Sequence, residues 1–280
     1  MGATTAITWC DHTFNSWWGC SRVSPGCENC YAEAWSLRTG YSGKKLPLLW
    51  GVNEDRRFFG DKHWAEPLKW NRESLAAMNA DENARPKRVF CASMSDVFED
   101  RPFLVETRQR LMNLISDTPS LDWLILTKRP ENIEALAPQS WGNALSFPSN
   151  VWLGTTVEDV KRAEQRIEHL ARWPAPVRFV SYEPALEWVS FKRWESVLLW
   201  VIVGGESGPN ARYFAETWAA QTLDELRGWR QGGGSVFIKQ LGSVWAKREA
   251  ETRRAGVRLH PHGADPREWP EHLRVQEFPS

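Results

Sequence analysis

The chain has 280 residues, 42% of them hydrophobic and 25% charged, a globular composition that excludes a disordered or collagen-like polypeptide. Its 35 basic and 35 acidic side chains cancel, so bulk charge alone does not hold it to nucleic acid. The longest apolar run, residues 197–203, is far short of the ~20 residues of a membrane span, and the first ten residues lack the basic and apolar regions of a leader, so the expected compartment is the cytoplasm.

Taken in chain order, short β-rich runs alternate with longer helical ones. Strands are expected at 5–9, 88–91, 122–127, 151–155, 177–181, 199–203 and 235–239, several of them continuously apolar, as in a parallel sheet buried on both faces. Helices are expected at 103–116, at 160–170 with Val160, Ala163, Ile167 and Leu170 on one face, and at 216–229 with Trp218, Thr222, Leu226 and Trp229 on one face. Residues 41–87 have weak periodicity and are expected to form an insertion. Residues 248–280, rich in Pro, Arg and His, are expected to wrap the surface as a tail. The predicted fold is therefore α/β: a partial parallel (β/α)6-7 barrel of TIM type over residues 1–247. A doubly wound open sheet is the competitor, which periodicity does not separate from it.

The residues that follow the strands are polar: Ser93-Met-Ser95-Asp96, Thr127-Lys128-Arg129, Thr155-Thr-Val-Glu158, Ser181-Tyr-Glu183, Gly204-Gly205-Glu206 and Lys239-Gln240. Ligands bind beyond the carboxyl ends of parallel strands, and these groups are expected to line one mouth. Helix capping accounts for many of the Ser, Thr and Asp residues. It gives no reason for Lys128, Glu183, Glu206 and Lys239.

Of five cysteines, Cys20, Cys27 and Cys30 fall within eleven residues, inside a loop at 10–33. Three thiolates at such spacing hold three irons of a 4Fe-4S cluster and leave the fourth iron open; a fourth thiolate closes the site. Cys10 stands ten residues before Cys20 in the loop, so a structural zinc or closed iron–sulfur site is the rival reading. The row of polar strand ends favours the open cluster, with Cys20, Cys27 and Cys30 as metal ligands and Cys10 and Cys91 outside it. Cys91, at a strand end, reads as a buried small hydrophobe.

These residues resemble the radical S-adenosylmethionine superfamily, whose three-cysteine loop follows the first strand of a partial barrel, although its usual spacing is C-x3-C-x2-C and this chain has C-x6-C-x2-C. More closely, the chain resembles a phage and bacterial family known for a three-Cys motif. The matching segments are Thr8-Trp-Cys-Asp-His-Thr-Phe-Asn15, Trp18-Gly-Cys20, Ser24-Pro-Gly-Cys-Glu-Asn-Cys-Tyr-Ala-Glu33, Ser93-Met-Ser-Asp96, Leu126-Thr-Lys-Arg-Pro130, Ser181-Tyr-Glu-Pro184 and Val203-Gly-Gly-Glu-Ser-Gly-Pro209. The resemblance implies a radical enzyme that cleaves S-adenosyl-L-methionine reductively, with an electron donor of flavodoxin or ferredoxin type. It also implies cofactor contacts from Ser93, Ser95 and Asp96 to the amino group or ribose, and from Gly204, Gly205 and Glu206 near the adenine. Thr127, Lys128, Thr155, Glu183 and Lys239 complete the candidate cofactor or substrate set by their place at strand ends.

The phage context of the resemblance points to a DNA or nucleotide substrate, in base hypermodification or in lesion repair resembling that of spore photoproduct lyase. So do 18 tryptophans and an excess of 25 arginines over 10 lysines, although core packing and a GC-rich genome also account for these. A target base must leave its stack, and Trp17, Trp18 and Tyr31 are candidates to receive it. The opposing reading is a non-catalytic nucleic-acid or protein-binding module with zinc or a closed cluster as a structural clip. His12 is a candidate proton donor or supporting group beside the loop, and His260-Pro-His262 reads as an exposed loop.

Overall fold

The computed structural model describes residues 5–229, 233–253 and 258–279. Residues 1–4, on which part of the leader reading turned, and 254–257 and 280 of the tail lie outside the described residues. The strands are β1 (His12–Thr13), β2 (Trp17–Trp18), β3 (Arg57–Phe58), β4 (Lys87–Cys91), β5 (Leu121–Thr127), β6 (Val151–Thr156), β7 (Val177–Tyr182), β8 (Trp200–Gly204) and β9 (Ser235–Gln240). The helices are α1 (Tyr31–Arg38), α2 (Asp61–Trp64), α3 (Glu66–Ala80), α4 (Val105–Ser116), α5 (Ile133–Leu136), α6 (Val160–Leu170), α7 (Glu216–Arg227) and α8 (Ser243–Thr252).

Seven strands share one sheet in the order β1-β4-β5-β6-β7-β8-β9, and β2 pairs with β3 separately. Pairing is parallel between β1 and β4, β4 and β5, β7 and β8, and β8 and β9. The sheet order follows the chain order without reversal. A doubly wound sheet reverses at a switch point, so this winding is that of a partial TIM-type barrel. The first sheet strand is not the apolar run 5–9, which forms turns, but His12–Thr13 just after it. Alternation over five residues was too short a signal to separate a strand from the turn that precedes one.

The chain divides into two compact units. The first comprises Met1–Val23, Ala32–Gly154 and Arg172–Pro176; the second comprises Ser24–Tyr31, Thr155–Ala171 and Val177–Ser280.

In the first unit, β4 and β5 are apolar and buried through most of their lengths. Each fully buried large side chain contributes about 1.5–3 kcal/mol, and Val89, Leu121, Trp123, Leu124 and Ile125 all have no exposed surface. Helix α4 covers this core with Leu111, Leu114 and Ile115. The weakly periodic insertion holds a full helix, α3, which begins at a proline in its first turn and buries only Pro67, Trp70 and Ser74. So narrow an apolar stripe explains the faint sequence signal. His63 lies between Phe14 and Phe59, with centroids 4.6 and 4.4 Å away, and its ring nitrogen bonds the Asn15 carbonyl at 2.9 Å.

In the second unit, β8 is buried at every position. Helix α6 opens on Asp159, whose carboxylate accepts from the Arg162 backbone N–H at 2.8 Å. Its Ala163, Ile167 and Leu170 are buried as the periodicity predicts, while Val160 is exposed. Helix α7 ends at Arg227, so Trp229 is buried beyond it. The tail covers the free edge of β9: Ile238 N–H donates to the Val275 carbonyl and Glu277 N–H to the Val236 carbonyl, each at 2.9 Å. An edge paired in this way is closed to other chains. Trp269 and Leu273 anchor the same segment in the core.

Candidate functional site

Cys20 sits at the end of a short extended stretch in the first unit. Its N–H donates to the Leu49 carbonyl at 3.1 Å, and Gly51 N–H donates back to the Cys20 carbonyl at 3.0 Å. The preceding residue must be glycine. Gly19 has φ +111°, and a Cβ there would lie 2.4 Å from the Leu49 oxygen.

A chain of buried charges surrounds this cysteine. Arg129, just past β5, places Nη1 3.6 Å from Cys20 Sγ and 2.9 Å from Asp96 Oδ2, and its Nη2 donates to the Ser21 carbonyl at 2.7 Å. Ser21 Oγ accepts from Arg129 at 2.9 Å and donates to Glu99 Oε1 at 2.8 Å. Glu99 in turn takes a two-pronged pair from Arg56, at 3.0 and 2.7 Å. The remaining donors of Arg56 reach the carbonyls of Leu49, Gly51, Glu54 and Asp55, so its charge is fully satisfied. Burial pushes the Cys20 thiol up to about 12, against the pull of Arg129, which keeps the unliganded sulfur protonated.

Asp96 is the hub of the predicted strand-end group in this unit. It accepts from Thr127 Oγ1 at 2.7 Å, from the N–H groups of Lys128 and Phe98 at 3.0 Å, and from Arg129. Burial works to raise its carboxyl, but Arg129 and these hydrogen bonds outweigh it and hold the pKa below the ordinary value. Ser93 Oγ accepts from Asn15 at 3.0 Å. Ser95 Oγ is buried and finds no hydrogen-bond partner among the described residues, an orphaned hydroxyl beside Asp96.

Cys27 and Cys30 belong to the second unit, on a loop whose turn is held from two sides. Gly26 N–H donates to Glu158 Oε1 at 3.3 Å, and a Cβ on Gly26 would lie 3.1 Å from that carboxyl carbon. Glu158, wholly buried past β6, is paired with Arg166 at 2.8 Å. On the other side Arg212 donates to the Pro25 carbonyl at 2.9 Å and to Glu28 at 2.7 Å while clasping Glu206 at 2.7 and 3.0 Å. Asn29 joins the clasp, donating to Glu206 Oε2 at 3.0 Å and to the Asn210 carbonyl at 2.8 Å. Glu206 therefore has both carboxylate oxygens engaged with the loop and its clamp. Burial raises its pKa, and the bonds from Arg212 and Asn29 reverse that and lower it.

The remaining candidates of this unit meet at the ends of β7, β8 and β9. Lys239 Nζ lies 2.5 Å from Glu183 Oε1, and that carboxylate passes over Gly204, where a Cβ would stand 3.2 Å from it. Gly205 N–H donates to the Gln240 carbonyl at 3.0 Å. Thr155 is fully buried in β6.

Arg56, Glu99, Arg212 and Asn29 were not legible as site residues, because each acts through a partner far away in sequence, and Arg166 serves the site only through Glu158. Glu158 and Arg129 at least stood in strand-end motifs. Two aromatic expectations change: Trp17 and Trp18 are 0% and 7% exposed and pack in the core, leaving Tyr31, at 51%, as the exposed member of that trio. His12 stacks flat on Trp70 at 4.3 Å. Cys91 is fully buried, and His260 and His262 are exposed.

None of the five cysteines is joined in a disulfide, and Cys20, Cys27 and Cys30 are each partly exposed. Soft, reduced sulfur donors suit an iron–sulfur or zinc site. Among the described residues no three Cys, His, Asp or Glu side chains are already gathered as a metal-holding group. The fit therefore lies in the donor chemistry, the fixed loop and the orphaned Ser95 hydroxyl. No described helix is long and apolar enough to cross a membrane.

Fold and site together define an α/β protein with parallel strands that end in charged and hydroxyl groups. The chain belongs to the DUF5131 family, proteins of unknown function, which it matches over residues 4–270. No curated protein matches it significantly. Among solved structures it is similar to a doubly substituted spore photoproduct lyase with bound AdoMet and a dinucleoside spore photoproduct, at 11% identity and a TM-score of 0.43. The alignment covers 92% of this chain and 64% of that one, so the chain spans less than two thirds of the lyase's length.

Proposed function

We propose that this protein is a radical S-adenosylmethionine enzyme, cytoplasmic, in which Cys20, Cys27 and Cys30 ligate a 4Fe-4S cluster. A cluster held by three cysteines supplies, when bound, an open iron to chelate S-adenosylmethionine and an electron for its reductive cleavage. The observation that carries the reading is the investment of buried charge in presenting cysteines. Arg129 steadies the Cys20 sulfur, and Glu158 with the Arg212–Glu206 clasp fixes the turn that carries Cys27. Buried ion pairs such as Arg129–Asp96 and Arg166–Glu158 are costly to assemble, so their service to a cysteine-bearing loop calls for a functional reason.

The chain's own groups then take distinct roles. Ser95, with its unsatisfied hydroxyl, is a donor for the cofactor's polar end, and Ser93 and Asp96 support it. Thr127 and the Lys128 backbone hold the Asp96 carboxylate in place. On the second unit, Glu183 and Lys239 form a paired rim over Gly204, whose missing side chain leaves room for the Glu183 carboxylate. Gly205, Glu206 and Thr155 belong to the same proposed cofactor set. The substrate is a nucleic-acid base or nucleotide, and the electron comes from a flavodoxin- or ferredoxin-type donor.

Anaerobic reconstitution tests this directly. Brown protein with about four irons per chain, forming 5′-deoxyadenosine from S-adenosylmethionine and dithionite, is the expected result. Cys20→Ala, Cys27→Ala and Cys30→Ala should each lose the iron, whereas Cys10→Ala and Cys91→Ala should keep it. Colourless protein carrying one zinc, or equal loss of metal in Cys10→Ala, overturns the open-cluster reading and leaves a binding module with a structural clip.

A further inference from the structure

The insertion within the first unit carries a surface that the cysteine site does not use. Arg57, on β3, holds its guanidinium 4.6 Å from the Trp18 ring centroid, 5.1 Å from that of Phe59 and 5.4 Å from that of Tyr41. Arg38, closing α1, lies 5.2 Å from the ring of Trp35, a residue 46% exposed. Lys44 and Lys45 are exposed on the loop between these two stacks.

Four cations in one short stretch thus face rings or water, and none of them has a carboxylate partner among the described residues. Elsewhere, arginines such as Arg56, Arg129, Arg166 and Arg212 are consumed by acids. The four outnumber Glu54 and Asp55, the carboxylates of the same stretch, since Arg56 is consumed by Glu99 and Glu33 by Arg22. Unpaired cations are what a polyanion's backbone requires, and open ring and guanidinium planes are what unstacked bases require. A duplex offers only the first, because its bases are covered by their neighbours. A neutral overall charge does not oppose this, since the field that matters is local.

We propose that the surface built by Trp35, Arg38, Tyr41, Lys44, Lys45 and Arg57 binds single-stranded nucleic acid by base stacking and phosphate contact. The inference rests on the nucleic-acid substrate of the preceding reading and gives it a location. It is separable from the radical chemistry, because binding is measured on protein without iron or cofactor.

Fluorescence anisotropy with a labelled single-stranded DNA of roughly 15 nucleotides provides the test. The strand should bind about tenfold or more tightly than its duplex, and than the same sugar-phosphate chain lacking bases. Trp35→Ala, at an exposed position, should weaken binding about tenfold without changing the melting temperature. The double change Lys44→Ala and Lys45→Ala should lower the salt dependence of log Kd by about one unit. Arg57→Lys, which keeps the charge and loses the plane, should weaken the intact strand and leave the baseless chain unaffected. Equal binding of the baseless chain, preference for the duplex, or an unchanged Trp35→Ala overturns the proposal. Active radical chemistry without any strand binding also overturns it and leaves a small-molecule substrate. Strand binding by a protein that takes up no iron upholds it while the radical reading fails.

Discussion

Two regions of this molecule hold cysteines by opposite means. Around Cys20 the charges are interior: the Arg56 and Glu99 side chains are 0% and 2% exposed, and Arg129 and Asp96 are 7% each. Around Cys27 one clamp lies partly in water, with Arg212 29% exposed and reaching from the buried Glu206 to Glu28, which is 65% exposed. An interior charge network is rigid because no member can be removed without stranding another in a low-dielectric medium. A partly exposed clasp stores less folding energy, because water reaches Arg212 and Glu28 even though Glu206 is buried. The first arrangement builds the unit that carries Cys20. The second orders a loop on a unit whose core is complete without it.

The sharpest way to break this comparison is to truncate the interior pair. Glu99→Ala leaves Arg56 buried without its anion and removes an acceptor from Ser21, so the loss of stability should be about 3–5 kcal/mol. Urea unfolding monitored by circular dichroism measures it. Glu99→Gln, which retains the shape and one acceptor, should recover part of the loss. A cost under about 1 kcal/mol would place Arg56 and Glu99 with ordinary surface pairs and remove the distinction.

Arg212→Ala is the matching change on the other side, with a smaller expected effect. The global stability of the apo protein should fall by about 1–3 kcal/mol, because Arg212 is partly exposed but the Glu206 it leaves behind is buried. What should change is local: the turn at Pro25–Cys27 loses two of its anchors, and Cys27 should react severalfold faster with a thiol-alkylating reagent. Cys20 should label at the wild-type rate. Arg212→Lys should not restore slow labelling, since a single ammonium does not reproduce a fork that serves Glu206, Glu28 and a carbonyl together. Unchanged Cys27 reactivity would mean that Glu158 alone orders the loop.

The difference between the two regions also explains what the sequence revealed. Continuous apolar runs such as Trp200–Gly204 read directly as buried strands, since each residue reports its own environment. The cysteine spacing was equally local. Arg212 gave no signal, because its meaning depends on Glu206, Pro25 and Glu28 meeting it in space, at separations up to 187 residues. Arg56 looked like any charged residue in a polar stretch. Trp17 and Trp18 looked like loop aromatics because Gly and Asn surround them, yet both are buried, Trp18 against Tyr41, Phe59 and Arg57 from later in the chain. Helix α3 was hidden by a mostly solvent-facing surface. Local chemistry was legible, and cross-chain partnership was not.

A last, smaller test compares two aspartates at β5 within the first unit. Asp96, at its carboxyl end, has Arg129 and three hydrogen bonds, and its pKa is depressed. Its stabilisation is present above the ordinary carboxylate pKa and is lost as pH falls through the lower folded value. Asp122, near the amino end and opposite Arg88, is raised to about 6 by burial that Arg88 only partly offsets. Here the sign reverses: the folded state holds its proton more tightly, so the contribution is full below 3.8 and is lost as pH rises through about 6. Asp122→Asn removes the ionisation. Its melting temperature should match the wild type near pH 3.5 and exceed it by a few degrees at pH 7.5. A variant that melts below wild type at pH 7.5 would show that attraction to Arg88 outweighs burial. Asp122 would then be a paired carboxylate like Asp96, and satisfied charge would extend to both ends of the strand.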